Sequence, residues 1–354
     1  MNQHPVISLM SMDHLALLNP HERDARISFE PVEHKYTIDA DPSKPYTSVT
    51  TWVHSHFSEF DTVNIIKRMM ASRNWKQSPY YGMTADAIKA AWDANRDAAA
   101  AAGTAMHYNI ECHYNGLPIP PDDTEAPEFR YFLQFYADHA SHLRPYRTEW
   151  TVFDEAARIS GSIDMVFENL DPATGSPDGT LSIYDWKRCK EIKKVPFGAK
   201  DYSHTPLIAH IPDTNYWHYC LQLNAYKAIL ERNYGKRVTD LFLVCLHPDN
   251  KNGSYQCIRV VDLQSDIAVL FKERLDAFSP CHKCNRRKCN RRKCNNLNKC
   301  PTQFKTRTTR TRTTRTQSRT QSRTRTQIRK DKGQKSQSGK GIKYKGKSIK
   351  SKSR

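Results

Sequence analysis

Leu181-Ser182-Ile183-Tyr184-Asp185-Trp186-Lys187 is the stretch on which the reading of this chain turns. It reads as a short β-strand, with Ile183, Tyr184 and Trp186 supplying bulk that suits a pleated surface. Side chains alternate across a strand, so Asp185 and Lys187 leave the same face and set a carboxylate beside an ammonium. A second strand-like run, Ile159–Phe167, carries Asp164. Between the two runs lies Asp171–Gly179, rich in Asp, Gly and Pro, the residues that turns require. Strands joined in this way are expected to pair as a hairpin, bringing Asp164 next to Asp185. Two carboxylates and a lysine at one sheet edge suit a hard divalent cation that holds a phosphate oxygen and activates a water.

Outward from that hairpin, further elements are predicted. Arg26–Phe29 and His34–Ile38 read as strands flanking a turn, and Pro45–Thr50 leads towards a helix. Residues 61–75 fit a helix with Ile65, Ile66, Met69 and Met70 on one face. Thr84 is placed to cap a helix through Ile88 and Trp92 into the run Ala98–Ala102. Gly103-Thr104 is expected to break that run, and a new helix carries His107 and Glu111, four apart and so on one face. Residues 126–142 form an amphipathic helix with Phe129, Phe132, Leu133 and Tyr136 inward. Arg147–Phe153 completes a three-stranded meander with the Asp164 and Asp185 strands. Residues 214–233 are helical, with Gln222 and Tyr226 again at i,i+4. Leu241–Leu246 and Tyr255–Val261 are strands, and residues 264–278 form the last helix.

Charge divides the 354 residues sharply. The net charge of +18 hides a segment, 281–354, with 27 Lys+Arg and one acid, Asp331, for a net +26; residues 1–280 carry a net −8. Such a split suggests a folded acidic body with an arm for a polyanion; its plainer reading is a solvated tail that keeps the protein soluble. Residues 281–354 lack apolar periodicity and are expected to be disordered. No run of about 18 apolar residues occurs, so no membrane partner is expected. Met1–Pro5 does not look like a signal peptide, which predicts an intracellular setting, cytoplasm or nucleus, with reduced cysteines.

Four landmarks in order carry a resemblance. Gly103-Thr104-Ala105-Met106-His107-Tyr108-Asn109-Ile110-Glu111 resembles a helical motif with a histidine. Gly161-Ser162-Ile163-Asp164 resembles a first metal-ligand strand. Asp185-Trp186-Lys187 resembles the second acid and lysine, and Gln222-Leu223-Asn224-Ala225-Tyr226 resembles a QxxxY helix. Together they resemble the RecB-type exonuclease group of the PD-(D/E)XK nucleases. The mitochondrial genome-maintenance exonuclease and λ exonuclease belong to the wider superfamily, and the body is similar to phage and large-DNA-virus members. The resemblance covers roughly residues 100–260.

It implies an α/β fold: a restriction-endonuclease-like core with a central mixed sheet flanked by helices, followed by a disordered basic tail. The expected division is an N-terminal region of strands and helices (1–102), a nuclease core (103–280) and the low-complexity tail (281–354). The implied activity is Mg2+- or Mn2+-dependent hydrolysis of DNA, by an exonuclease leaving 5′-phosphates. An endonuclease of the same fold, or an idle nucleic-acid-binding protein, is the alternative. The resemblance makes Asp164, Asp185 and His107 metal ligands, together with the backbone carbonyl of Trp186. Lys187 would orient and activate the water. Gln222 and Tyr226 would hold DNA phosphate or the catalytic groups, against the plainer reading of an ordinary helix with a buried tyrosine. Glu111 either holds His107 or a lysine in place from behind or is solvated. Glu149 and Arg147 either touch the site or make a structural ion pair. Trp75, Tyr80, Tyr81 and Trp92 either stack bases of a single strand or pack in the core. Cys281, Cys284, Cys289, Cys294 and Cys300 open with the spacing of a metal knuckle. Their repeat reads first as low-complexity expansion without metal, with zinc or an iron–sulphur cluster as alternatives.

Overall fold

A computed structural model of the chain describes residues 11–196, 198 and 201–278. The expectations for residues 281–354, including all five cysteines there, lie outside these residues. The elements run α1 (His14–Leu18), β1 (Ile27–Glu30), β2 (Lys35–Ile38), β3 (Thr47–Ser48), α2 (Val49–His54), α3 (Thr62–Met70), α4 (Ala85–Asn115), α5 (Pro121–Thr124), α6 (Pro127–His139), β4 (Leu143–Asp154), β5 (Ile159–Leu170), β6 (Pro177–Lys187), α7 (Asn215–Asn233), β7 (Val238–Cys245), β8 (Gln256–Arg259) and α8 (Gln264–Phe278).

The turn chemistry of Asp171–Gly179 acts as expected. Asp171 Oδ1 accepts from the amides of Ala173 and Thr174 at 2.7 and 3.1 Å, and Gly175 takes a left-handed φ of 65°. A short polar side chain and a residue without Cβ thus reverse the chain. β5 and β6 pair antiparallel, β4 joins the other side of β5, and the meander forms. β7 lies parallel to β6, reached through α7, and β8 adds antiparallel to β7. β3 adds parallel to Ile159 and Ser160 at the start of β5. The result is a mixed α/β architecture with a six-stranded mixed sheet; β1 and β2 form a separate hairpin.

The sheet is apolar on both faces, so both must be covered. One face packs Ile163, Ile183 and Leu243 with Trp52 of α2, Leu221 and Ile229 of α7 and Phe271 of α8. The other packs Met165, Tyr184, Trp186 and Val244 with Met106 and Ile110 of α4 and Phe129, Phe132 and Phe135 of α6. Full burial of one such phenylalanine contributes about 1.5–3 kcal/mol.

Two expectations are corrected here. α4 runs unbroken through Gly103, and the boundary drawn at 102/103 falls inside it. An interior glycine costs about 1 kcal/mol relative to alanine; the flanking alanines favour helix and the packing of Met106 and Ile110 anchors the following turn. In α6, Leu133 and Tyr136 are exposed, and Phe135 takes the inward place with its ring 5.2 Å from that of Trp186. Facing aromatics on β6 decide the helix's rotation, which periodicity leaves open by one residue. No described helix is long and apolar enough to cross a membrane.

Candidate metal centre

The site begins at a fork in the sheet. The β5–β6 ladder ends at the pair Met165↔Tyr184, and β3 meets β5 only at Ile159 and Ser160. In the gap, the amide of Trp186 donates to Asp164 Oδ2 at 3.0 Å in place of a backbone acceptor. β6 meanwhile stays paired with β7 as far as Lys187↔Cys245. A carboxylate is thereby fastened across the fork, and Asp164 and Asp185 become electrostatic neighbours.

The third strand contributes as well. Glu149 sits in β4 between the pairs Thr148↔Met165 and Trp150↔Ile163, level with Asp164. Its φ is 41°, a left-handed value that a non-glycine residue adopts at a cost of about 1–3 kcal/mol. Ser162 Oγ donates to Glu149 Oε2 at 2.8 Å. Helix α4 brings His107 over the same point, with Nδ1 3.7 Å from Glu149 Oε1 and 3.6 Å from Asp164 Oδ2. His107 Nε2 is 3.0 Å from the Trp186 carbonyl oxygen, to which it donates. That bond turns Nδ1 towards the two carboxylates, as the outer hydrogen bond of a metal-binding histidine does. One donor atom each from His107, Glu149 and Asp164 lie within 4.8 Å of one another. One imidazole nitrogen and two carboxylates are a donor set for a divalent cation.

Asp185 is almost wholly buried and forms an ion pair with Lys187, whose Nζ contacts Asp185 Oδ2 without the alignment of a good hydrogen bond. Lys187 Nζ also lies 4.8 Å from the centre of the Tyr219 ring, an attraction of cation for π-face. Burial works against the charge on Lys187, but Asp185 and Asp164 outweigh it and push its pKa up. Burial likewise opposes charge on His107, and Asp164 and Glu149 reverse the balance and hold its pKa up to about 9. Burial and the Asp185 carboxylate together push Asp164 up. Glu111, one turn beyond His107, is pushed up to about 7 by burial and by Glu149 and Asp13. Carboxylates crowded in this way repel one another until a cation joins them.

α7 closes the site from the other face. The Gln222 side chain neighbours the Tyr226 hydroxyl, and Tyr226 is buried. A Cβ on Gly161 would lie 2.7 Å from that hydroxyl and 2.8 Å from the ring carbon Cε1. The glycine of the Gly161–Asp164 motif is therefore there because the QxxxY tyrosine occupies the space above it.

The structure thus brings together His107, Glu149 and Asp164, with the Trp186 carbonyl on His107 and the Asp185–Lys187 pair beside them; Asp185 lies outside the three-donor cluster, and Glu111 and Tyr226 are electrostatic neighbours of it. Arg147 points away and pairs with Asp24 at 2.7 Å. Trp75, Tyr80, Tyr81 and Trp92 lie outside both core clusters. In the sequence Glu149 reads equally as a structural ion-pair residue, and nothing there marks Tyr36 for the site; Tyr219 joins it too. Tyr219 is one turn before Gln222, and that i,i+3 spacing is a signal for the shared face. Tyr36, pushed up to about 12 by burial and by Glu149, carries no local mark of its place beside Ser162. No protein-family model matches the chain, and no curated protein sequence matches it.

Proposed function

We propose that this chain is a metal-dependent deoxyribonuclease, acting as an exonuclease, with the restriction-endonuclease-like core of RecB-type enzymes. The observation that supports it most is the convergence of His107, Glu149 and Asp164 on one point, at the sheet fork that also holds the Asp185–Lys187 pair. Mixed pairing through β4 to β7, with α7 as the crossover, is the frame such a core needs.

His107, Glu149 and Asp164, with Asp185 beside them, would hold Mg2+ or Mn2+. The bound cation would supply charge to the scissile phosphate and lower the pKa of its water. Lys187, held protonated by Asp185, is suited to donate: it orients the attacking water and offsets charge growing on the phosphoryl oxygens. Asp185 keeps that ammonium in place. Trp186 fixes the geometry twice over, its amide on Asp164 and its carbonyl on His107. The resemblance implies in-line attack and a 5′-phosphate product. Residues 281–354 would add affinity for DNA through charge alone.

The test is hydrolysis of end-labelled single- and double-stranded DNA with Mg2+, Mn2+ or EDTA, beside Asp185→Ala and Lys187→Met. The expected result is metal-dependent release of mononucleotides from linear DNA, with circular DNA spared and both variants slowed by at least about 100-fold. Cutting of circles would mark an endonuclease. Absence of cutting with either metal, with DNA still bound, would leave the idle binding protein, and full activity of Asp185→Ala would overturn the assignment of this site.

A further inference from the structure

Helix α3 and the segment that joins it to α4 form a second candidate surface. Residues 62–85 contain four cations, Lys67, Arg68, Arg73 and Lys76, and no acid. All four are exposed, and Lys67, Arg73 and Lys76 make no ion pair among the described residues. Of the nearby acids, Asp61 caps α3 through the Asn64 amide and Asp93 pairs with Lys89 and Arg96, while Glu59 and Asp86 make no ion pair among the described residues. Aromatic rings alternate with these cations. Tyr80 and Phe60 lie 6.0 and 6.4 Å from Trp92, and Trp75 lies 6.0 Å from Tyr81. These rings are not core: Phe60 is 71% and Tyr81 55% exposed. Beside them opens a hollow of about 350 Å³ lined by Met69, Ser72, Asn74, Trp75, Gln77 and Ser78, with no charged member.

Unpaired cations interspersed along the chain with half-exposed and exposed rings, next to an uncharged hollow, match one polymer, an unpaired nucleic-acid strand. Its phosphates seek the cations and its free base faces seek the rings. A duplex hides its base faces, and an acidic peptide has no use for the rings. We propose that residues 60–92 form a grip for single-stranded DNA that feeds the candidate metal centre; the identity of the strand as DNA rests on the nuclease reading. The feed is mechanical. α4 is one rigid helix carrying Trp92 near its start and His107 near its end, about 22 Å apart at 1.5 Å per residue. That length spans roughly six stacked nucleotides at about 3.4 Å each.

The experiment measures binding of full-length protein to fluorescent dT20 and to a 20-base-pair duplex by anisotropy, with EDTA present so that nothing is cut. Variants are the triple change Lys67→Gln, Arg73→Gln, Lys76→Gln, the single change Tyr81→Ala, and Lys251→Gln, an exposed lysine of the β7–β8 turn, as control. Tyr81→Ala is expected to weaken dT20 binding about 5-fold or more while duplex binding stays within 2-fold. The triple change should lower the salt slope for dT20 by about 2, from three lost phosphate contacts at about 0.7 each. Lys251→Gln should match the native protein. Unchanged dT20 binding in Tyr81→Ala, or equal losses on duplex and single strand, would overturn the grip. If the Tyr81→Ala and triple variants behave as expected and native protein never cuts DNA, the nuclease reading alone fails.

Discussion

Replacing Gly161 by alanine probes how the two motifs are joined. The new methyl would meet the Tyr226 hydroxyl at 2.7 Å and Cε1 at 2.8 Å, closer than the 3.0 Å that real Cβ contacts respect. Gly161 does not adopt a left-handed φ, so the backbone accepts alanine without strain. Alanine should even return about 0.4–1 kcal/mol by limiting the unfolded chain. Overpacking against a buried ring costs about 1–3 kcal/mol, and the midpoints of the two ranges leave a net loss of about 1.3 kcal/mol. In a domain of this size that lowers the melting temperature by roughly 2–6 °C. Asp164 lies three residues further along β5, and a displaced ligand of this kind lowers activity by about 10- to 100-fold. Thermal melts and urea titrations read the first effect, and metal-dependent DNA cleavage reads the second. Tyr226→Phe in the same background removes the hydroxyl contact and leaves the Cε1 contact. The double mutant should therefore recover part of the loss, with a coupling of at least about 0.5 kcal/mol in a double-mutant cycle. A neutral Gly161→Ala, or a cycle that closes at zero, would refute the claim that Tyr226 dictates the glycine.

Glu149→Gln should weaken Mn2+ binding by at least about tenfold in calorimetry while the fold stays intact, because one of three clustered donors loses its charge; an unchanged Mn2+ affinity would remove Glu149 from the ligand set. His56 is buried, its Nδ1 is 2.9 Å from Thr205 Oγ1, and its Nε2 has no hydrogen-bond partner. Burial, aided by His204 and Arg274, pushes its pKa down to about 4. The unfolded chain protonates near pH 6.5, so stability is unaffected above that pH and falls as pH drops from about 6.5 to about 4. His56→Gln should flatten that acid limb by at least ~2 °C between pH 7 and 4.5; an unaltered limb would show that other groups govern it. Deleting residues 281–354 should weaken DNA binding and flatten its salt dependence, yet leave metal-dependent cutting. An inactive truncated protein would contradict the separation of body and tail.

Local rules carried the sequence far. Alternating bulk in Leu181–Lys187, the turn residues of Asp171–Gly179 and the cap at Thr84 are short-range signals, and they sufficed for the meander, for Asp185 and Lys187 on one face, and for the start of α4. Their reach ended where distance along the chain grew. His107 and the Trp186 carbonyl are 79 residues apart, and only the packing of α4 on the sheet brings them together. Gly103 looked like a break because propensity is summed locally, whereas Met106 and Ile110 hold the helix through it. Glu149 joined the cluster through a left-handed backbone that its sequence neighbours do not demand. Which acids exist, and which face each takes, was thus determined by period and turn chemistry. Which of them share one point was decided by tertiary contacts, because the energy that overrides propensity, strains Glu149 and crowds the carboxylates comes from burial between elements far apart in the chain.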